Sequence, residues 1–114
     1  MKAIIEVSPR NSIFDTAASD LATGGNDDVH LAFETAPLLL SEITAQRFEL
    51  LRTLRRVGPC SIYALAKAAG RNYSNVHGDV SRLLDLGLVE KTEDDAVLVP
   101  FDDIEVHIHL AQAA

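Results

Sequence analysis

The first third of the chain alternates apolar and polar positions in two short stretches, residues 2–7 and 29–34. A period of two residues predicts half-buried strands. Between them, residues 13–21 have the spacing of a short helix that Ser12 or Asp15 would cap, and the turn at residues 24–27 would close it. We therefore predict a strand–helix–strand unit. Pro37 is expected to break the chain, which leaves residues 38–40 as an apolar connector.

From Thr44 onward the apolar spacing becomes helical. Thr44 and Ser61 are candidate N-caps for a first and a second helix, because their hydroxyls can accept from free backbone N–H groups. Glycines at positions 58, 70 and 87 lie where three successive helices would end. The predicted helices span residues 45–57, 62–69 and 73–86. Phe48, Leu51, Leu54 and Val57 are expected to form the apolar stripe of the first, and Val76, Val80, Leu83 and Leu84 that of the third.

The remaining chain has the patterns of strands. Residues 88–91 and 96–99 flank a polar turn at 92–95, which predicts a β-hairpin. Residues 104–110 alternate apolar side chains with Glu105, His107 and His109, which predicts a further strand.

The order of these elements predicts the fold class. A helix, a short alanine-rich helix, a glycine turn, a longer helix and a hairpin follow one another in the order of a winged helix-turn-helix. We expect an α+β chain in which residues 41–100 form this DNA-binding core. Residues 1–40 would form an N-terminal strand–helix–strand extension used for dimerisation, and residues 101–114 a C-terminal strand in a dimer or sheet contact.

Charge is distributed unevenly along the chain. The net charge is −7, yet residues 41–91 sum to +3, whereas residues 1–40 sum to −4 and residues 92–114 to −6. An acidic protein repels phosphate, so any DNA binding must depend on a local patch in the central region.

Other classes of function find little support. Cys60 is the single cysteine, which excludes an intrachain disulfide; we expect a small half-buried side chain, with a redox-sensing thiol as the alternative. His107 and His109 share a strand face and are expected to face solvent, with a metal site across a dimer as the alternative. No catalytic constellation is apparent, and we expect a non-enzymatic protein without a cofactor. No signal peptide or membrane-spanning run is apparent either, which favours the cytoplasm and no membrane partner.

The central segment also resembles a known family. Its motifs are Gly58-Pro59, Ser61-Ile62, Asn75-Val76-His77, Asp79-Val80 and Leu86-Gly87-Leu88-Val89-Glu90. With these, residues 29–110 resemble small prokaryotic MarR-like predicted transcriptional regulators. The resemblance implies double-stranded DNA as partner, a homodimer and transcriptional control. Some relatives resemble the DNA-binding antitoxin of a toxin–antitoxin pair.

The candidate DNA-binding residues cluster on and around the third helix. They are Arg71, Asn72, Tyr73, Ser74, Asn75, His77, Gly78, Ser81, Arg82 and Lys91. Asparagine can pair with adenine and arginine with guanine in the major groove. Arg71 and Lys91 are the expected phosphate contacts. Tyr73 has two open roles, a phosphate contact or packing on the second helix.

For several of these residues, roles other than DNA contact remain open. Each polar residue of the third helix could simply belong to a solvated face. Asp79 is expected to form a salt bridge or cap within the domain. Arg52, Arg55 and Arg56 are expected to lie on a solvated helix face, with contact to backbone phosphate as the alternative. The function predicted is a sequence-specific repressor acting as a homodimer. An antitoxin that also binds a toxin, or a winged helix that binds only protein, are the alternatives.

Overall fold

The computed structural model describes residues 1–8 and 28–110, and it shows a mixed α+β chain. The helix predicted at residues 13–21 and its closing turn lie outside the described residues. The strands are β1 (Lys2–Val7), β2 (Val29–Phe33), β3 (Glu90–Lys91), β4 (Val97–Leu98) and β5 (Asp103–His107). The helices are α1 (Ala36–Glu42), α2 (Ala45–Val57), α3 (Ile62–Ala69) and α4 (Tyr73–Asp85).

The chain divides into two compact units. The first comprises residues 1–42 together with residues 103–114, and the second comprises Ile43–Asp102. The first unit joins the two ends of the sequence because β5 pairs with β1.

The first unit contains a three-stranded parallel sheet. The strand order is β2–β1–β5, with Ala3 opposite both Val29 and Ile104. Ala3 and Ile5, which point to one face, are 1% and 0% exposed. The opposite face of β1 carries Lys2, Ile4 and Glu6, all of them half-exposed. Side chains alternate between the two faces as the period of two predicted.

Helix α1 corrects the connector expected at residues 38–40. Pro37 lies in the first turn of α1, where its missing N–H would have had no partner within the helix in any case. Thr35 begins the helix, since its hydroxyl accepts from Leu38 N at 3.2 Å and its carbonyl from Leu39 N at 3.1 Å. Leu39 is 1% exposed within this unit.

The second unit begins each helix with the side chain of a capping residue. Thr44 Oγ1 accepts from Arg47 N at 3.2 Å, and Ser61 Oγ accepts from Ala64 N at 3.0 Å, as predicted. The backbone of Gly70 has a φ of 66° and that of Gly87 a φ of 81°, left-handed conformations that favour glycine at helix ends. The predicted helix boundaries are therefore confirmed to within one residue.

The second unit encloses an apolar core. Its members are no more than 3% exposed: Leu50, Leu51, Leu54, Leu65, Ala66, Val76, Val80, Leu83, Leu88, Val89, Val97 and Phe101. The stripe expected on α2 was partly wrong, because Phe48 and Val57 are 38% and 44% exposed whereas Leu50 is buried. The predicted set spans about 180° of the helix, whereas Leu50, Leu51 and Leu54 fall within about 100°, so the two ends of the predicted stripe lie outside the buried face.

The hairpin is shorter than expected. Glu90 pairs with Leu98 and Lys91 with Val97. The segment before α3 adds a bridge to the same strand, with Val97 N donating to Cys60 O at 2.8 Å and Cys60 N donating to Val97 O at 3.2 Å. Across residues 1–8 and 28–110, every helix is too short or too polar to cross a lipid bilayer.

Candidate functional site

Helix α4 separates buried and exposed side chains cleanly. Val76 and Val80 are 0% exposed and Leu83 is 1% exposed, so this stripe is sealed inside the second unit. The opposite face spans roughly 160° of the helix circumference. Its exposed members are the predicted site residues Ser74, Asn75, His77, Gly78 and Ser81, together with Asp85, a carboxylate that was not predicted. Arg82 is half-buried beside them. With Tyr73 in its first turn, α4 thus contains seven of the predicted residues.

Asn72 caps α4, and this structural role competes with contact to a DNA base. It is the N-cap of α4, and its Oδ1 accepts from Ser74 N at 2.8 Å and from Asn75 N at 3.4 Å. Only the amide Nδ2 remains a donor toward a partner, because the oxygen already satisfies the free backbone groups of the first turn.

Asp79 joins the start of α4 to α2 through two arginines. Arg71 Nη2 donates to Oδ2 at 2.8 Å, and Arg47 Nε donates to Oδ1 at 3.0 Å. The three side chains are 17–22% exposed. The salt-bridge role expected of Asp79 is confirmed. Arg71, predicted as a phosphate contact, instead has its charge directed to this carboxylate.

The electrostatics of this cluster favour the ionised carboxylate. Burial by itself would raise the pKa of Asp79, but the hydrogen bonds from Arg71 and then Arg47 outweigh burial and lower its pKa below the ordinary 3.8. Arg71 Nη1 is buried without a hydrogen-bond partner among the described residues. The guanidinium of Arg71 is therefore held in place rather than presented to solvent.

A shallow groove lies at the N-terminal end of α4. It has a volume of about 440 Å³ and is lined by Gln46, Arg71, Asn72, Asn75 and Asp79. The side chains around it offer amide and guanidinium groups together with one carboxylate. These groups suit a polar partner rather than an apolar ligand.

An exposed aromatic row runs from α3 onto α4. The ring centroids of Tyr63 and Tyr73 are 6.5 Å apart, and those of Tyr73 and His77 are 5.9 Å apart. The tyrosines are 61% and 48% exposed, and Lys67 Nζ lies 5.4 Å from the ring centroid of Tyr63. Tyr73 therefore packs against α3 and still faces solvent, so both roles left open for it are compatible with its position.

Sequence reasoning missed Tyr63 and Lys67. Their i, i+4 spacing on a capped helix places them on one face, which was the available signal. That signal is weak without knowledge that α3 and α4 bring Tyr63 next to Tyr73.

Gly78 has no packing reason to be glycine. A Cβ atom added there would meet nothing within 4 Å, and its backbone φ is not positive. Glycine within a helix costs roughly 1 kcal/mol relative to alanine. Nothing within the described second unit accounts for this cost.

Lys91 lies in an acidic setting that weakens its predicted role. Its Nζ is 3.4 Å from Asp95 Oδ1, and Glu93 and Asp94 complete the exposed hairpin tip. Local negative charge opposes the approach of phosphate. Among the described residues, the ion pair of Lys91 is with Asp95 and not with a residue of α4.

The arginines of α2 and the remaining candidates have mostly local roles. Arg52 pairs with Glu49 at 3.1 Å, and Arg55 pairs with Asp102 at 2.7 Å, all four side chains being more than half exposed.

Cys60 is half-buried as expected, and burial raises the pKa of its thiol, which disfavours the reactive thiolate.

The two histidines of the metal alternative were expected to face solvent. His107 and His109 are both exposed, and the described residues contain no group of three or more side chains suited to hold a metal ion.

Comparison with known proteins identifies a family. The HVO_A0114 family model matches residues 42–106, which is more than half of the chain and includes α2, α3, α4 and the hairpin. No curated protein and no solved structure matches the chain. The extent of the family match shows that the chain belongs to the HVO_A0114 family.

Proposed function

We propose that the chain is a sequence-specific DNA-binding transcriptional regulator, a cytoplasmic repressor that acts as a homodimer and has no enzymatic activity. The observation that carries the proposal is the exposed polar face of α4 behind which Val76 and Val80 are fully buried. In this interpretation residues 43–102 are a winged helix-turn-helix of the MarR-like kind, with α4 as recognition helix and the β3–β4 hairpin as wing.

Base readout belongs to the exposed α4 side chains. A recognition helix enters the major groove with its N-terminal half against the base edges. Asn75 is suited to pair bidentately with adenine, and Arg82 with guanine. His77, Ser74 and Ser81 supply further donors and acceptors. Gly78 then has a function, because the absence of a side chain lets the α4 backbone approach the groove closely.

We assign the phosphate contacts to residues other than Arg71 and Lys91. Arg71 and Lys91 are paired with Asp79 and Asp95, so we assign Arg71 the role of fixing α4. Tyr63 and Lys67 on α3, with Tyr73 beside them, are exposed at the same end of the helix pair. A tyrosine hydroxyl and a lysine ammonium are suitable partners for the DNA backbone.

A homodimer fits this kind of readout. Two copies related by a two-fold axis read a palindromic site when their recognition helices are about 34 Å apart, one turn of DNA. The acidic remainder of the chain lowers non-specific attraction, which makes binding depend on the α4 contacts.

The experiment uses a labelled duplex from the chain's own promoter and a scrambled duplex of equal length. We expect an electrophoretic shift with the promoter fragment that excess scrambled duplex does not remove. The absence of any shift at low salt, where phosphate attraction is strongest, would reject DNA binding.

A second candidate function has one observation in its favour. The hairpin tip exposes Glu93, Asp94 and Asp95, a charge suited to a basic protein rather than to DNA. An antitoxin binding its basic toxin, or a winged helix that binds only protein, would use such a tip. A small neighbouring gene whose product co-purifies with the chain would support the antitoxin. Neutralising the tip would abolish that complex and leave DNA binding intact.

A further inference from the structure

The C-terminal strand has a sequence that is complementary to itself. From residue 103 to residue 109 it reads acid, Ile, acid, Val, His, Ile, His. Counting outward from Val106, each acidic residue on one side has a histidine at the same distance on the other. Antiparallel pairing of two copies around Val106 would place Glu105 opposite His107 of the second copy, and Asp103 opposite His109.

The structure leaves this strand available at the edge of a sheet. Within residues 1–8 and 28–110, β5 pairs with β1 on one side and with no strand on the other. An edge strand presents a row of unpaired N–H and C=O groups that favours addition of a further strand. The polar atoms of the β5 backbone therefore supply the hydrogen bonds that a second copy needs.

The apolar side of β5 is incompletely covered. Val106 is 46% exposed, and Ile104 and Ile108 are half-buried. In the same pairing Val106 would meet itself and Ile104 would meet Ile108 of the second copy. Antiparallel neighbours on one face contribute about 0.2–1 kcal/mol per favourable pair. The apolar and charged rows thus support the same arrangement.

The charged side of β5 is already organised. Lys2 Nζ donates to Glu105, and His107 Nε2 lies 3.1 Å from Glu105 Oε1. These contacts, Lys2 first, lower the pKa of Glu105 and keep it ionised. Glu6 on β1 lies opposite His107 in the sheet register. Contacts within one chain therefore already favour the ionised form of Glu105.

Other registers do not give these pairs. A two-fold axis at Ile104 would oppose Asp103 and Glu105, and an axis at Ile108 would oppose His107 and His109. Like charges directly opposite one another destabilise a strand pair. An axis at Glu105 or at His107 keeps polar residues opposite polar ones but places that residue opposite its own copy. An axis between two residues would oppose polar and apolar side chains, because they alternate with a period of two. Across residues 103–109, the axis at Val106 opposes every acid with a histidine.

We propose that the partner of β5 is a second copy of this chain, paired antiparallel with the two-fold axis at Val106. The pairing joins two three-stranded sheets into one of six strands. The inference deepens the dimer that the proposed function requires, and it names the interface, the register and the residues.

Cysteine cross-linking tests the register without DNA. In a Cys60→Ser background, Val106→Cys is placed against its own symmetry mate at a Cα separation of about 4.5–5.5 Å, within reach of a disulfide. Ile104→Cys and Ile108→Cys are each about 13 Å from their own mates but opposite one another. Under mild oxidation we expect dimers from Val106→Cys, and from Ile104→Cys mixed with Ile108→Cys. Either single isoleucine variant cross-linking as fast as Val106→Cys would overturn the register.

Light scattering on the full-length chain tests the interface. Val106→Lys places two ammonium groups together at the axis and is expected to weaken the dimer at least about tenfold, about 1.4 kcal/mol. Leu40→Lys is the matched control, since Leu40 is 58% exposed on α1 of the same unit. A dimer that survives Val106→Lys, or is lost in Leu40→Lys alone, would overturn the proposal. A dimer that cross-links as expected but does not shift DNA would leave the inference standing and reject the proposed function.

Discussion

Arg71 Nη2 and Asp79 Oδ2 are 2.8 Å apart, and this contact fixes the turn before α4 to the middle of α4. Arg47 on α2 donates to the other oxygen of the same carboxylate. The position of the exposed α4 face therefore depends on a charged cluster as well as on the apolar core. A positioning role explains why the arginine nearest the helix start is not presented to solvent.

Replacing Asp79 by asparagine is expected to lower the free energy of unfolding by about 1–3 kcal/mol at pH 7, because two partly buried guanidinium groups lose their counter-charge. Asp85→Asn on the same helix is the matched control, because Asp85 is exposed; its effect should fall within about 0.5 kcal/mol. Urea unfolding of the variants at pH 7 measures both values. An equal loss in the two variants would contradict the structural role of Asp79.

The contribution of Asp79 has a defined pH dependence. Its pKa in the folded chain is lower than the ordinary 3.8, so the stability it provides is complete above that value and is lost as pH falls through the folded pKa. The difference between the wild type and Asp79→Asn should therefore be constant from pH 7 to about pH 5 and should shrink below about pH 4. A difference that grows on acidification would show that another group is responsible.

Gly78→Ala should separate stability from binding. Alanine is expected to stabilise α4 by roughly 0.5–1 kcal/mol, since the added Cβ meets nothing in the described second unit. The same methyl group would stand between the α4 backbone and a DNA groove, so affinity for the promoter fragment should fall at least about threefold. Thermal unfolding and fluorescence anisotropy on one preparation provide both numbers. If Gly78→Ala is more stable and binds the promoter fragment with undiminished affinity, the proposal that Gly78 lets the α4 backbone approach DNA closely is contradicted.

Lys67 and Tyr63 test the assignment of phosphate contacts. Lys67→Ala should lower the affinity for the promoter duplex and for the scrambled duplex alike. It should also reduce the slope of log affinity against log salt concentration by about one per protomer. Tyr63→Phe removes only the hydroxyl and should weaken binding with little change in that slope. Anisotropy titrations at several salt concentrations make the comparison. An unchanged slope for Lys67→Ala would place the lysine outside the interface.

The sequence predicted best those features that neighbouring residues determine. Thr44 and Ser61 cap helices, and Gly70 and Gly87 end them, because caps and left-handed turns involve groups only a few residues apart. The exposed face of α4 followed from the same local periodicity.

Features that depend on distant partners were missed. Pro37 was expected to break the chain, whereas it lies in the first turn of α1, where proline is equally suitable. The pairing of Tyr63 with Tyr73 and of both arginines with Asp79 required the packing of three helices to be known. The parallel alignment of β5 with β1 joins opposite ends of the chain, and no short-range pattern specifies it.

The central claim is that the exposed α4 face contacts DNA, and one comparison tests it directly. The Asn75→Ala/His77→Ala double variant removes two exposed α4 side chains without removing a permanent positive charge. Arg52→Ala removes a full charge from α2 at a position about 140° around that helix from Arg47. In anisotropy titrations with the promoter fragment, we expect the double variant to lose at least about tenfold in affinity and Arg52→Ala to lose less than about threefold. Equal losses, or a larger loss for Arg52→Ala, would contradict the account.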